Sequence, residues 1–431
     1  MPITNLNYVS PGVPWPPLSE RSRVNAMGVN YNLSKGKFES LIPGTKSRLE
    51  ENVFSDVSVF WKDALFGEPP LFDYDEDNPR VLQAIDLLTP SAIRAARQVA
   101  FDMIRYGVGC FLARKPGELE SLDPRYWFPV TDPTDTDIRL ADIIAYPFIS
   151  RPENNLVVDR YRLLVFTPDG CTATTFRVEG GNLGSPIDQV DSPCAFPVVI
   201  PAATDDTLYG ESIYNGIKTH VAEIHRRDSR ISVALDRHAE PHLSVPEGSI
   251  RRNSAGQYVI SDDGMVIPVA DGSQDPKYVT WDANFVEHGN AIKRAQLAIW
   301  RHAGISPVLL DPEILSGQIA SGAALRRMAV VTVNRLREYR QTFDESLRLA
   351  LVAGMETMAA HGGEVIKTNP RSIRLLWPPP LSSGRTDDAE AFGQLVTDGI
   401  VSRVDAIQIV NRVRRADAER IDGEGSQPTE P

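Results

Sequence analysis

Few residues in this chain are spaced for chemistry, and each candidate has a plainer reading beside it. His238 and His242 stand four apart, the spacing that sets two imidazoles on one helix face where zinc could bind. Pro241 breaks that helix between them, and no Cys or third His stands close in sequence, so a packed or solvated pair is the better reading. Gly210 to Thr219 comes nearest to a phosphate-binding loop. Its glycines are six apart and Ile217 separates Gly216 from Lys218, so backbone amides cannot ring a phosphate with a lysine beside it. Asp132, Asp135 and Asp137 offer oxygen ligands to a cation but lack the glycine and distal Glu of a calcium loop. An acidic surface loop is expected there, and equally at Asp73, Asp75, Glu76 and Asp77. There is no nucleophile elbow, zinc-protease helix or dinucleotide fingerprint, and no carboxylate pair is singled out. Enzymatic chemistry has no positive support, and neither a metal nor a cofactor is expected.

Composition narrows the class. The 431 residues can bury a large core and suggest two or three modules; 42% hydrophobic and 24% charged residues are ordinary for a soluble globular protein. A net charge of −12 argues against a free nucleic-acid binder, though not against a protein through which nucleic acid passes. Three scattered cysteines, Cys110, Cys171 and Cys194, read as reduced core thiols, and no apolar run is long enough to span a membrane.

The elements that would position any site follow from periodicity. Residues 1–45, with Pro11, Pro14, Pro16 and Pro17 around Trp15, read as an extended arm that cannot form a regular helix. A helix is expected from Ser47 to Phe66, an acidic loop from Asp73 to Asn78, and a second helix opening at Thr89-Pro90-Ser91 and ending at Gly107. From Gly109 to about Pro201 the signals are strands of an antiparallel sheet: Cys110–Leu112, Tyr126–Val130, Ile143–Ile149, and a hairpin of Arg160–Phe166 with Thr172–Val178. Helices over about 211–242 and 285–303 bracket a turn-rich β insert. A long loop, Ser306 to Ala320, leads to the strongest helix signal, Ser321 to His361. Its apolar stripe is Leu325, Met328, Thr332, Leu336, Tyr339, Phe343, Leu347, Ala350 and Met358, and Arg326, Arg327, Arg335, Arg337 and Arg340 read as a solvated basic face. A strand from Ser372 to Trp377 and two short helices, Asp387–Asp398 and Val404–Val413, close the fold, with Asp422 to Pro431 disordered. The class is α+β.

That order of elements resembles the portal protein, or head-to-tail connector, of tailed double-stranded DNA bacteriophages. Leu208-Tyr209-Gly210-Glu211-Ser212-Ile213 and the helix to Glu240-Pro241 look like the family's first stem helix; Ala303 to Leu310 looks like the end of its second. Gly399-Ile400-Val401-Ser402 is similar to its C-terminal segment. The resemblance implies a portal-like α+β fold: a wing at 46–210, a helical stem hairpin at 211–242 and 285–305, and a small β clip at 243–284. A tunnel loop at 306–320, a long spine helix at 321–361, a wing return strand at 362–386 and a short helical crown at 387–431 complete it. The arm at 1–45 has no counterpart in the pattern.

Function follows by the same implication. Subunits would close into a dodecameric ring at the capsid vertex, assembled in the host cytoplasm, and double-stranded DNA would pass through it without sequence specificity. The partners implied are the major capsid protein, the terminase large subunit and a head-tail adaptor, with no membrane. Leu310, Asp311, Glu313, Ser316 and Gln318 would face DNA; Arg251, Arg252, Tyr258, Asp263 and Asp271 of the clip would dock terminase and then adaptor. Arg226, Arg227, Arg230, Arg326 and Arg327 would touch the DNA backbone or make intersubunit ion pairs with Glu223 or Asp228, and both uses are open. Each neutralised phosphate steepens salt-dependent binding, so an acidic subunit suits sliding better than grip. The alternatives are a ring or scaffolding assembly protein that does not handle DNA, and an unrecognised hydrolase.

Overall fold

The computed structural model describes residues 3–42, 51–74, 78–136, 138–150, 157–202, 208–239, 242–246, 254, 266–269, 277–279, 285–310, 327–380, 385–398 and 401–425. The chain divides into two units, residues 1–37, 52–216 and 302–431 in the first, 38–51 and 217–301 in the second.

The first unit is an α+β domain. Its helices are α1 (Leu18–Ser34), α2 (Val53–Phe66) and α3 (Pro79–Tyr106), with strand β1 (Leu71–Tyr74) before α3. Eight strands follow: β2 (Val108–Lys115), β3 (Glu118–Leu122), β4 (Trp127–Thr131), β5 (Arg139–Ser150), β6 (Val157–Thr167), β7 (Gly170–Glu179), β8 (Asn182–Asp191) and β9 (Val198–Pro201). Strands β4 to β8 form a five-stranded antiparallel meander, and β3-β2-β9 a second antiparallel sheet. The hairpin expected around Thr167 is present, Thr167 pairing with Gly170.

Alternation along the meander explains its surroundings. Trp127, Ile144 and Leu164 point to one face and Phe128, Ile143 and Leu163 to the other, so both faces are apolar and both need cover. Val108, Cys110, Leu112 and Met27 pack on the first face; Ile3 and Trp15 pack on the second. The N-terminal stretch is therefore core, and the reading of residues 1–45 as an arm without regular helix is corrected. The proline cluster around Trp15 ends at Pro17, which sits at the N-cap of α1, and the seventeen residues of that helix contain none.

A second correction concerns Pro90, which lies inside α3 and not at its start. The helix begins at Pro79, capped by the Asn78 side chain. Thr89 Oγ1 donates to the Ile85 carbonyl (2.7 Å) and Ser91 Oγ to that of Leu88 (2.9 Å), so side chains engage carbonyls in the turn that proline disturbs. A third is Asp73, expected in a solvated acidic loop. It lies on β1, 5% exposed, because β1 pairs with β13 (Ile373–Leu376) and the C-terminal helices cover it. Residues 75–77 lie outside the described residues.

Helix α6 (Val330–Ala360) begins after Ala329, its N-cap, later than the expected Ser321, and spans roughly 46 Å. Leu325 and the rest of 321–326 lie outside the described residues. From Thr332 to Ala350 the expected stripe is buried, with Tyr339 edge-on to Trp61 and Phe343 edge-on to Phe66, centroids 5.1 Å apart in each pair. Met358 is half-buried and Met328 is 41% exposed. Arg340 departs from the solvated basic face: it is 9% exposed, donates to the Pro378 carbonyl and lies over the Trp377 ring. Burial pulls its pKa down to about 10.

The chain closes with α7 (Arg385–Thr397), α8 (Arg403–Asn411) and α9 (Arg415–Gly425), so residues 422–425 belong to a third terminal helix that the sequence reading treated as disordered. Ser402 caps α8 as expected, accepting from the Asp405 amide. Gln408 and the Arg415 amide both donate to Asp73, which latches this segment to β1.

The second unit holds most of α4 (Ile213–Ala239) and α5 (Phe285–Ala303) with a three-stranded sheet between them in sequence. In that sheet β10 (His242–Pro246) runs parallel to β11 (Val266–Val269) and antiparallel to β12 (Lys277–Val279).

Candidate functional site

The described part of the predicted site is the base of the loop between α5 and α6. Helix α5 stops at Gly304, whose φ of +71° favours glycine; a Cβ there would meet Arg335 Nε at 3.4 Å. Trp61 Nε1 donates to the last α5 carbonyl, Ala303, at 2.9 Å. The chain then turns through Ser306 and a single 3-10 turn, Pro307–Leu309.

Thr332, one turn into α6, joins the two sides. Its hydroxyl accepts from the Ser306 amide (2.7 Å) and donates to the Gly304 carbonyl (3.2 Å), while Ser306 Oγ donates to the Met328 carbonyl (2.7 Å). Both hydroxyl-bearing residues are buried. The ends of the segment 311–326 are thus held on one hydrogen-bonded base. Around it Leu309, Leu310, Met328, Val330 and Val331 are each at least 40% exposed, an apolar rim on both sides of the segment.

Removing the Thr332 hydroxyl should loosen this base. Thr332→Val keeps the shape but strands the buried Ser306 N–H, which costs about 1–3 kcal/mol. Hydrogen exchange at that amide should accelerate by about tenfold or more, as local opening becomes easier by that energy. Unchanged exchange would show that the hydroxyl is not the tie.

Of the residues expected to face DNA, Leu310 lies on this rim, 40% exposed, at the end of the 3-10 turn. Arg327 is exposed just before α6. Asp311, Glu313, Ser316, Gln318 and Arg326 lie outside the described residues, as do Arg251, Arg252, Tyr258, Asp263 and Asp271.

The stem arginines can be placed within their helix. Glu223 takes Arg226 at 2.6 Å and Arg227 at 2.7 Å, three and four residues on, so both guanidiniums are paired inside the protomer. Arg227 also reaches His288 of α5, at 3.4 Å, while Arg230 is exposed. Beneath them His225 is 3% exposed with the Phe38 ring 4.8 Å away; burial lowers its pKa, and burial raises that of neighbouring Asp228. Val233 and Leu235 of α4 and Val286 and Leu297 of α5 are all more than 40% exposed.

Burial raises Asp102 to about 7 and Asp142 to about 6, the kind of shift active sites use. Asp102, however, is 2% exposed and held by Arg105 (2.5 Å) and Gln98 (3.0 Å); Asp142 is fully buried and held by Trp127 Nε1 (2.7 Å) and Arg139 (3.1 Å). A cavity of about 490 Å³ lies between α1 and the meander, lined by Trp15, Val24, Phe128 and Tyr161. Its one guanidinium, Arg125, is already bound through two nitrogens to Asp123. Among the described residues no group of three or more His, Cys, Asp or Glu could hold a metal, and no helix is long and apolar enough to cross a membrane.

The sequence reading missed the Ser306–Thr332 tie. The available signal was a threonine inside an otherwise apolar stripe, facing a loop that leaves through Ser-Pro.

The sequence matches no protein-family model and no curated protein. Among solved structures it is similar to a chain of the virion of a native gene transfer agent particle, at 13% identity and a TM-score of 0.46, over 94% of this chain and 96% of that one. A chain from the neck of an empty gene transfer agent particle, computed with C6 symmetry, gives 15% identity and 0.46 over 92% and 94%. One from the neck of the native particle, computed with C12 symmetry, gives 12% and 0.42 over 88% and 92%.

Proposed function

We propose that this chain is the subunit of a ring-shaped portal, through which double-stranded DNA enters and leaves a virus-like capsid. The observation that carries the reading is the loop base between α5 and α6: a long helix and a helix ending beside it hold a segment of sixteen residues at its two ends, within an apolar rim that a single copy leaves in water. A second copy seated on that rim would remove it from solvent, and repetition by rotation closes a ring. The segment would then project into the axial hole.

Charge supports sliding rather than grip. The subunit carries −12, and Arg226 and Arg227 are already compensated by Glu223. Those two guanidiniums would compete less well for phosphate than free ones, which favours ready release of bound DNA. The three-stranded sheet of the second unit is the proposed docking surface for the terminase large subunit and then the head-tail adaptor, and the major capsid protein would surround the ring. The chain itself would catalyse nothing.

Native mass spectrometry and negative-stain imaging of the purified full chain test this directly. Closed rings with an axial hole wide enough for duplex DNA are expected. A monomer that stays unassembled at high concentration, or that hydrolyses ATP alone, would overturn the proposal.

A further inference from the structure

We infer that Cys194 is a thiol-modification site that reacts with small disulfides, and that Cys171 resolves the adduct into an internal disulfide. Cys171 is the second residue of β7, and Cys194 lies just past the end of β8. The β7–β8 register sets Thr172 opposite Asp191, and one step further the Ser192 amide donates to the Cys171 carbonyl at 2.8 Å. The Cys194 amide donates back to the Ser192 carbonyl at 2.8 Å, a three-residue turn that folds the chain over the strand. The turn carries Cys194 back toward the Cys171 end of β7, and Ser192 Oγ lies 3.2 Å from Cys194 Sγ.

The two sulfurs differ in access. Cys171 is 7% exposed, whereas Cys194 is half-buried in the wall of a cavity of about 230 Å³, with Phe166, Pro168, Phe196 and Glu356. They differ in acidity too. The neighbouring Cys171 thiol pulls the Cys194 thiol well below the usual range against its own burial, with help from Ser192, His361 and Arg114. The Cys194 thiol and burial push Cys171 up. An accessible thiolate with a second sulfur behind it is the arrangement of an attacking and a resolving cysteine.

The chemistry balances with a disulfide RS–SR as oxidant. Cys194 thiolate attacks one sulfur, forming Cys194–S–SR and expelling RS⁻, which takes a proton from water. Cys171 then loses its proton to solvent and attacks the Cys194 sulfur, forming the Cys171–Cys194 bond and expelling the second RS⁻. Two protein thiols are oxidised and one RS–SR is reduced to two RSH. The new bond would fasten β7 to the stretch leading to β9, where the Ala195 amide already donates to Thr357 on α6 at 3.2 Å.

Oxidised glutathione added to the folded full-length chain is the test, read by intact mass and peptide mapping. The wild type should lose the mass of two hydrogens, with peptides joined at Cys171 and Cys194 and no lasting adduct. Cys171→Ser should instead accumulate one glutathione on Cys194, and Cys194→Ser should leave Cys171 unmodified. Iodoacetamide at neutral pH should label Cys194 roughly tenfold faster than the fully buried Cys110. A stable adduct on the wild type without loss of hydrogen would overturn the resolving role of Cys171. Equal labelling of Cys194 and Cys110 would overturn the site itself.

Discussion

Replacing Arg23 by methionine should cost the fold about 3–5 kcal/mol. Arg23 on α1 bonds to Glu20 (2.5 Å) and donates to the carbonyls of Pro124 (3.2 Å) and Trp127 (2.7 Å). Its guanidinium also lies 4.6 Å from the centroid of the Tyr209 ring and 5.4 Å from that of Phe128. Glu20 is 1% exposed, and the Tyr209 hydroxyl is its other donor, at 3.1 Å. Methionine keeps much of the stem volume, so the loss would be electrostatic: a buried carboxylate without its cation and two carbonyls without donors. Urea unfolding should show a lower midpoint with an unchanged slope. Adding Glu20→Gln removes the stranded charge, so the double variant should be at least about 1 kcal/mol more stable than the sum of the singles. Strict additivity would mean that the two groups do not act as a pair.

How much of this was legible in the sequence depends on where each residue finds its partner. The meander was readable because Ile143–Ile149 and Arg160–Phe166 alternate locally and the turn at Thr167 announces itself. The stripe of α6 was readable for the same reason at the helical period. Helix α1 was not: five prolines precede it, and what orders it is a meander more than a hundred residues away, through contacts such as Arg23 to Trp127. Asp73 looked like its acidic neighbours, yet its donors come from Gln408 and Arg415, far along the chain. Arg340 shares a helix with exposed arginines and differs from them only because Pro378 and Trp377 return to cover it. Thr332 fits an apolar stripe by position, and its hydroxyl gains meaning only opposite Ser306. Periodicity shows which face is buried, but not which polar atom on that face has a partner.

Gly210 makes the same point with a sharper consequence. In the sequence it reads as a failed phosphate loop; in the fold it is a place where two backbones touch. A Cβ on Gly210 would stand 2.2 Å from the Gly107 carbonyl oxygen and 2.5 Å from that of Ala202. A Cβ on Gly107 would stand 2.6 Å from the Gly210 oxygen, and Gly107 also holds φ at +86° as the left-handed cap of α3. The Ala202 amide donates to the Gly107 oxygen at 2.7 Å, so the strand end, the helix cap and the approach to α4 are locked in one contact. Gly210→Ala should therefore destabilise by about 3 kcal/mol or more, at or above the upper end of overpacking, because backbone must move where a side chain would yield. Gly107→Ala should cost at least as much, adding about 1–2 kcal/mol for the left-handed backbone. The two should combine to less than their sum, since a single separation of the chains relieves both methyls. The loss should also weaken the start of α4, where Ser212 Oγ donates to the Arg105 carbonyl (2.6 Å) and accepts from the Tyr214 amide (3.1 Å). Hydrogen exchange at the Tyr214 amide would register that separately from global unfolding. A Gly210→Ala chain with an unfolding midpoint like the wild type would mean that these backbones stand further apart than described.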